Sequence, residues 1–136
     1  MNSVWIVDDD ASIRWVLEKA LVRENISCEL FSSVDDILAA LDEAQPSVLV
    51  SDIRMPGDSG LVLLEKIKSK YPRLPVIIMT AFSDLDTAVS SFQKGAFDYL
   101  PKPFDIESAV ELISGVMGDH RKLDGKESLK QASMGN

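Results

Sequence analysis

The segment "SVLVSDIRMPG", Ser47 to Gly57, sets Asp52 at the close of an apolar run and then bends away through Pro56 and Gly57. An isolated carboxylate costs several kcal/mol to bury unless something pairs with it. Asp52 therefore either has a partner or stands at an edge kept open for a purpose. A short, continuously apolar run fits a parallel strand covered on both faces. An acid at its carboxyl end lies where open parallel sheets bind their ligands.

Working outward, the same kind of run recurs. "VWIV" (Val4 to Val7), "CELF" (Cys28 to Phe31), "VLV" (Val48 to Val50), "VIIM" (Val76 to Met79) and "FDYL" (Phe97 to Leu100) read as five strands. Helical periods fall between and after them. Ile13, Val16, Leu17, Ala20 and Leu21 follow the i, i+3, i+4, i+7, i+8 spacing, with Trp15 off that stripe. Val34 to Leu41 and Leu61 to Tyr71 supply the second and third helices. Leu85, Ala88, Val89 and Phe92 repeat the spacing before Gly95, a natural helix stop. Ile106, Ala109, Val110 and Ile113 make the last helix, with Asp105 as its N-cap. Strict strand–helix alternation predicts a doubly wound α/β fold, a five-stranded parallel sheet with helices on both faces. After about Met117 the chain turns polar. Residues 1–118 are expected to form one domain, and 119–136 a polar tail or the start of an interdomain linker.

The totals suit one domain: 136 residues, 46% hydrophobic and 26% charged. No apolar run approaches a membrane span, and "MNSVWIV" lacks the features of a signal peptide. A cytoplasmic location follows as the expectation. Cys28, the single cysteine, lies in a strand-like run and reads as a packing thiol. Net charge is −8, from 14 basic and 22 acidic residues, which argues against nucleic-acid binding by this chain. One histidine, His120, near the polar end, makes a Ser-His pair or a histidine-rich zinc site improbable.

The chemistry gathers at strand ends. The first run ends in Asp8-Asp9-Asp10, the third in Asp52, the fourth in Met79-Thr80-Ala81 and the fifth in Pro101-Lys102-Pro103. Each has a bland reading: Asp10 as a helix cap, Thr80 as a capping hydroxyl, Lys102 as a surface turn. Adjacent Asp8 and Asp9 are harder to explain that way, because like charges repel unless a cation offsets them. Oxygen ligands without His or Cys suit a hard cation, and Mg²⁺ takes one or two carboxylates together with phosphate oxygens. A carboxylate beside such a metal can attack phosphorus and become an aspartyl phosphate.

"VWIVDDDASIRWVLEKAL", "SDIRMPG", "LPVIIMTAFSDLDTAV" and "GAFDYLPKPFD" together resemble the receiver domains of two-component response regulators. The likeness spans roughly residues 3 to 117 and is greatest to NtrC-type nitrogen regulators, which activate sigma-54 promoters. It implies a flavodoxin-like fold with strand order 2-1-3-4-5. It further implies Asp52 as phosphoacceptor and Mg²⁺ held by Asp9, Asp52 and the backbone carbonyl of Arg54, with Asp8 acting through water. Lys102 would contact the phosphoryl group, and Thr80 and Tyr99 would read the modified state. Asp10 is the alternative metal-side acid or a helix cap. A cis bond between Lys102 and Pro103 is expected, turning Lys102 toward the carboxylates. The implied partners are a sensor histidine kinase, ATPase and DNA-binding domains absent from this chain, and a second copy after phosphorylation. Neither nucleic acid nor membrane is expected to bind directly, and no enzyme activity is expected beyond assistance to its own phosphorylation and dephosphorylation. Two departures stand out: Phe82, where histidine is expected in this subgroup, and Asp58 in "GDSG".

Two rival readings differ in class. Asp8-Asp9-Asp10-Ala11-Ser12 loosely imitates the D-x-D-x-[TS] loop of haloacid-dehalogenase-type phosphatases, with Gly118-Asp119 and Asp124 as a weak distal motif. Gly118 follows a helical period, however, and there is no room for a substrate cap. A non-phosphorylated interaction module on the same fold would not need Asp52, Thr80 and Lys102 together.

Overall fold

Strand and helix alternate throughout the described residues. In order, the elements are β1 (Ser3–Val7), α1 (Ala11–Arg23), β2 (Ser27–Phe31), α2 (Val34–Leu41) and β3 (Val48–Asp52). They continue with α3 (Gly60–Lys70), β4 (Val76–Ala81), α4 (Leu85–Gln93), β5 (Asp98–Lys102) and α5 (Ile106–Gly125). This computed structural model describes residues 3–53, 60–81 and 85–125. All four strand pairings are parallel, and the sheet runs β2-β1-β3-β4-β5. The first crossover leads to one side of β1 and the later ones to the other. The strand order thus reverses between β1 and β3, where such sheets open a crevice.

Alternation along each strand sorts two cores. Trp5, Val7, Leu49 and Ile78 face α2 and α3, packing with Ile37, Leu63 and Ile67. Val4, Ile6, Val50 and Met79 face the other way, against Leu17 and Leu21 of α1 and Ala109 and Ile113 of α5. Burial on both faces accounts for the unbroken apolar runs of the central strands.

Caps set the helix starts. Asp10 accepts from the Ser12 N–H at 2.8 Å, Ser33 from Asp36 at 3.2 Å and Asp105 from Ser108 at 3.0 Å. The α4–β5 turn needs Gly95, whose φ of 108° lies in the region that side chains avoid.

The observed bounds depart from the apolar runs in a consistent direction. β3 extends through Asp52 and β4 through Ala81, because Asp52 pairs with Met79 and Ala81 with Lys102 across the ladder. Pairing, rather than hydrophobicity, decides where these strands stop. β5 begins at Asp98, leaving Phe97 outside the strand and exposed. α5 continues to Gly125, past the change in composition that suggested a tail from 119. Helix propagation adds one backbone bond per residue, so a helix can run past the point where its composition changes. The apolar spacing of α4 also misleads on burial. Val89 is 57% and Phe92 43% exposed. Among the described residues no helix is long and apolar enough to cross a membrane.

Candidate phosphoacceptor site

Because the ladders are in register, β1, β3 and β5 deliver their last residues to one edge. Val7 lies opposite Ser51 and Asp52 opposite Met79, while Thr80 faces Pro101 and Ala81 faces Lys102. Asp8, just past β1, is fully buried. Its N–H donates to the Phe31 carbonyl at 3.1 Å, continuing the β1–β2 pairing by one residue. Its Oδ1 accepts from the Asp10 N–H at 2.8 Å and its Oδ2 from Lys102 Nζ at 3.1 Å. The same ammonium lies 3.3 Å from Asp52 Oδ1, which answers how Asp52 can be buried. Asp9 is exposed, yet carboxylate oxygens of Asp8, Asp9 and Asp52 lie within 4.8 Å of one another.

Burial pushes the Asp8 carboxyl above its ordinary range. The Asp10 N–H and Lys102 oppose that shift, and the neighbouring Asp52 charge adds to it. Desolvation works against the Lys102 ammonium, but its hydrogen bond and attraction to Asp8, together with Asp52, prevail and raise its pKa. One lysine thus leaves Asp8 under-compensated. Three clustered carboxylates with no nitrogen or sulfur ligand are a donor set for a hard divalent cation, so these residues fit Mg²⁺.

The other expected residues fall as follows. Asp10 turns to α1 and caps it. Thr80 is buried in β4, one position beyond the residue paired with Asp52. Tyr99 is half-buried on β5, its ring edge-on to Phe92 of α4 with centroids 5.6 Å apart. The Lys102–Pro103 bond is cis. Arg54, Asp58 and Phe82 lie outside the described residues. Gly118 sits within α5, so no strand precedes the imitation of a phosphatase motif there. Two contacts were not foreseen. The buried Ser51 hydroxyl donates to the Asp52 carbonyl at 2.9 Å, and Arg14 Nη1 donates to the Asp8 carbonyl at 2.6 Å. A polar residue between Val50 and Asp52 hinted at the first. No strand-end rule points to the second, which reaches back from inside a helix.

A response regulator receiver domain matches residues 4–114. The chain is 58% identical to the DNA-binding transcriptional regulator NtrC of Salmonella typhimurium over 119 residues, covering 88% of this chain and 25% of that protein. It is likewise 58% identical to NtrC of Proteus hauseri over 121 residues, 89% of this chain and 26% of the relative. It therefore spans about a quarter of the length of these curated relatives. The solution structure of the apo receiver domain of nitrogen regulatory protein C superposes with a TM-score of 0.81 at 57% identity, covering 88% of this chain and 97% of that one. The BeF3-activated form of that domain gives 0.76 at 57% identity, covering 89% and 99%. Fold, strand order, acidic edge and likeness agree, and the chain belongs to the response regulator receiver domain family.

Proposed function

We propose that this domain is a phosphorylation-controlled switch in which Asp52 accepts a phosphoryl group from a sensor histidine kinase. The observation that carries this reading is the single ammonium of Lys102, 3.1 Å from Asp8 and 3.3 Å from Asp52 at the shared strand edge. An Asp52 oxygen attacks phosphorus, the bond to the donor's histidine nitrogen breaks, and the carboxylate becomes an acyl phosphate. Asp9 and Asp52, with the Arg54 carbonyl and with Asp8 through water, are the proposed holders of Mg²⁺. When bound, this ion would offset charge on the transferring oxygens. Lys102 leaves Asp52 for a phosphoryl oxygen, so its positive charge follows the negative charge it formerly balanced.

The new dianion then draws on the Thr80 hydroxyl, and Tyr99 with its partner Phe92 passes the change to α4. Such couplings are typically ~1–3 kcal/mol, so the two conformations both exist before phosphate arrives. Residues 1–118 form the receiver and 119–136 lead toward output domains, an ATPase and a DNA-binding unit of a nitrogen-regulating sigma-54 activator. That setting is cytoplasmic. Phosphorylated domains pair with one another, and the same site assists loss of the phosphate.

Acetyl phosphate with Mg²⁺ tests the reading. Mass spectrometry should find one added phosphoryl group on the wild-type chain and none on Asp52→Asn, since an amide is a poor nucleophile. Efficient labelling of the variant at Asp8, Asp9 or Asp10 would falsify the assignment.

A further inference from the structure

Arg14 stands one turn into α1, six residues from Asp8 and close to a run of three aspartates. A guanidinium there is expected to pair with an acid. It does not. Among the described residues Arg14 makes no ion pair, and its Nη1 instead donates to the Asp8 backbone carbonyl at 2.6 Å. With that contact every polar group of Asp8 is engaged: its N–H by Phe31, its Oδ1 by Asp10, its Oδ2 by Lys102 and its carbonyl by Arg14.

The Asp8 carbonyl and the Asp9 N–H belong to one planar peptide group. Holding the carbonyl fixes the plane, and the plane sets the direction in which Asp9 leaves the strand. Asp9 is exposed, and its carboxylate has no hydrogen-bond partner among the described residues, although it lies within 4.8 Å of Asp8 and Asp52. Among the described residues, no hydrogen bond to its own side chain keeps it there. We infer that Arg14 is a positioning residue for the divalent-cation site, orienting Asp9 through the Asp8–Asp9 peptide. This inference rests on the proposed Mg²⁺ role of the acid cluster.

Electrostatics and positioning predict opposite signs. If Arg14 acted only as a nearby cation, removing it would tighten Mg²⁺ binding. If it orients Asp9, removal weakens binding by about tenfold, the low end of what supporting residues contribute at metal sites. Isothermal titration of Mg²⁺ into Arg14→Met and Arg14→Gln, without any phosphodonor, should show this weakening at a thermal midpoint close to wild type. In an Asp9→Asn background the same substitutions should change the affinity less than about twofold, because the ligand that Arg14 orients is gone. In the metal-free protein, the Asp9 amide resonance should shift in both variants. Unchanged or tighter binding by the folded variants, or an equal loss in the Asp9→Asn background, overturns the inference alone. Absence of Mg²⁺ binding by the wild-type chain would instead overturn the cation site itself, and Arg14's role with it.

Discussion

α1 and α4 carry the same apolar spacing in sequence and end in different places. Leu17, Ala20 and Leu21 of α1 are buried, and their partners on α5 close over them. On α4, Val89 and Phe92 are exposed, and the Phe92 ring lies T-shaped to Tyr99. Just past the C-terminal end of α4, Lys94 pairs with Glu65 of α3 at 2.6 Å, and a Cβ on the next residue, Gly95, would meet the stem of Lys68. An amphipathic period thus says that a helix has an apolar side, while the neighbours decide whether that side is covered. A helix whose described apolar residues Val89 and Phe92 are exposed can change position at little cost in their buried area, which is what the proposed switch asks of α4.

The largest test of this contrast is Leu17→Ala. Truncating a fully buried leucine between α1 and α5 should cost about 2–5 kcal/mol in urea unfolding. A loss below 1 kcal/mol on that same scale would erase the difference between the helices. Gly95→Ala sharpens the picture at the end of α4. An added Cβ would combine a φ of 108° with a contact 3.0 Å from Lys68 Cγ. That lysine cannot swing away freely, because its Nζ donates to the Leu74 and Pro72 carbonyls at 2.7 and 3.2 Å. A cost of about 1–2 kcal/mol is expected from the backbone conformation. Stability equal to wild type would mean that this turn is not a fixed point. Smallest should be Val89→Ser, within about 0.5 kcal/mol, as for exposed positions generally. A loss approaching that of Leu17→Ala would show that the face is covered in solution.

Much of the frame was legible from the order of residues, for reasons these positions illustrate. The apolar runs of β1, β3 and β4 had to be interior strands, and alternation with helices left few topologies. Asp52 and Lys102 were legible because each stands two residues past the last apolar residue of such a run. Other features depended on partners distant in the chain. The exposure of Val89 and Phe92 is set by which neighbours reach them, not by their spacing. The burial of Asp8, with Asp9 left exposed, follows from a pairing with Phe31 that extends one residue past the apolar run of β1. Arg14 was missed because its partner is a backbone carbonyl, which no side-chain pattern advertises. The likeness to receiver domains supplied roles for Thr80 and Tyr99 that spacing alone did not.

The pairing of Lys102 with Asp8 joins positions 94 residues apart, and β5, which carries the lysine, is the edge strand beside β4. Contacts so far apart in the chain form slowly, since a long loop must close before they contribute. During synthesis Asp8, Asp9 and Asp52 emerge well before Lys102. Until β5 docks, those three carboxylates repel one another with no ammonium between them. The acidic edge should therefore be among the last parts of the molecule to close, and a chain cut before β5 would lack the lysine that completes it. Under the proposed function, competence to take up phosphate becomes a report that folding has finished.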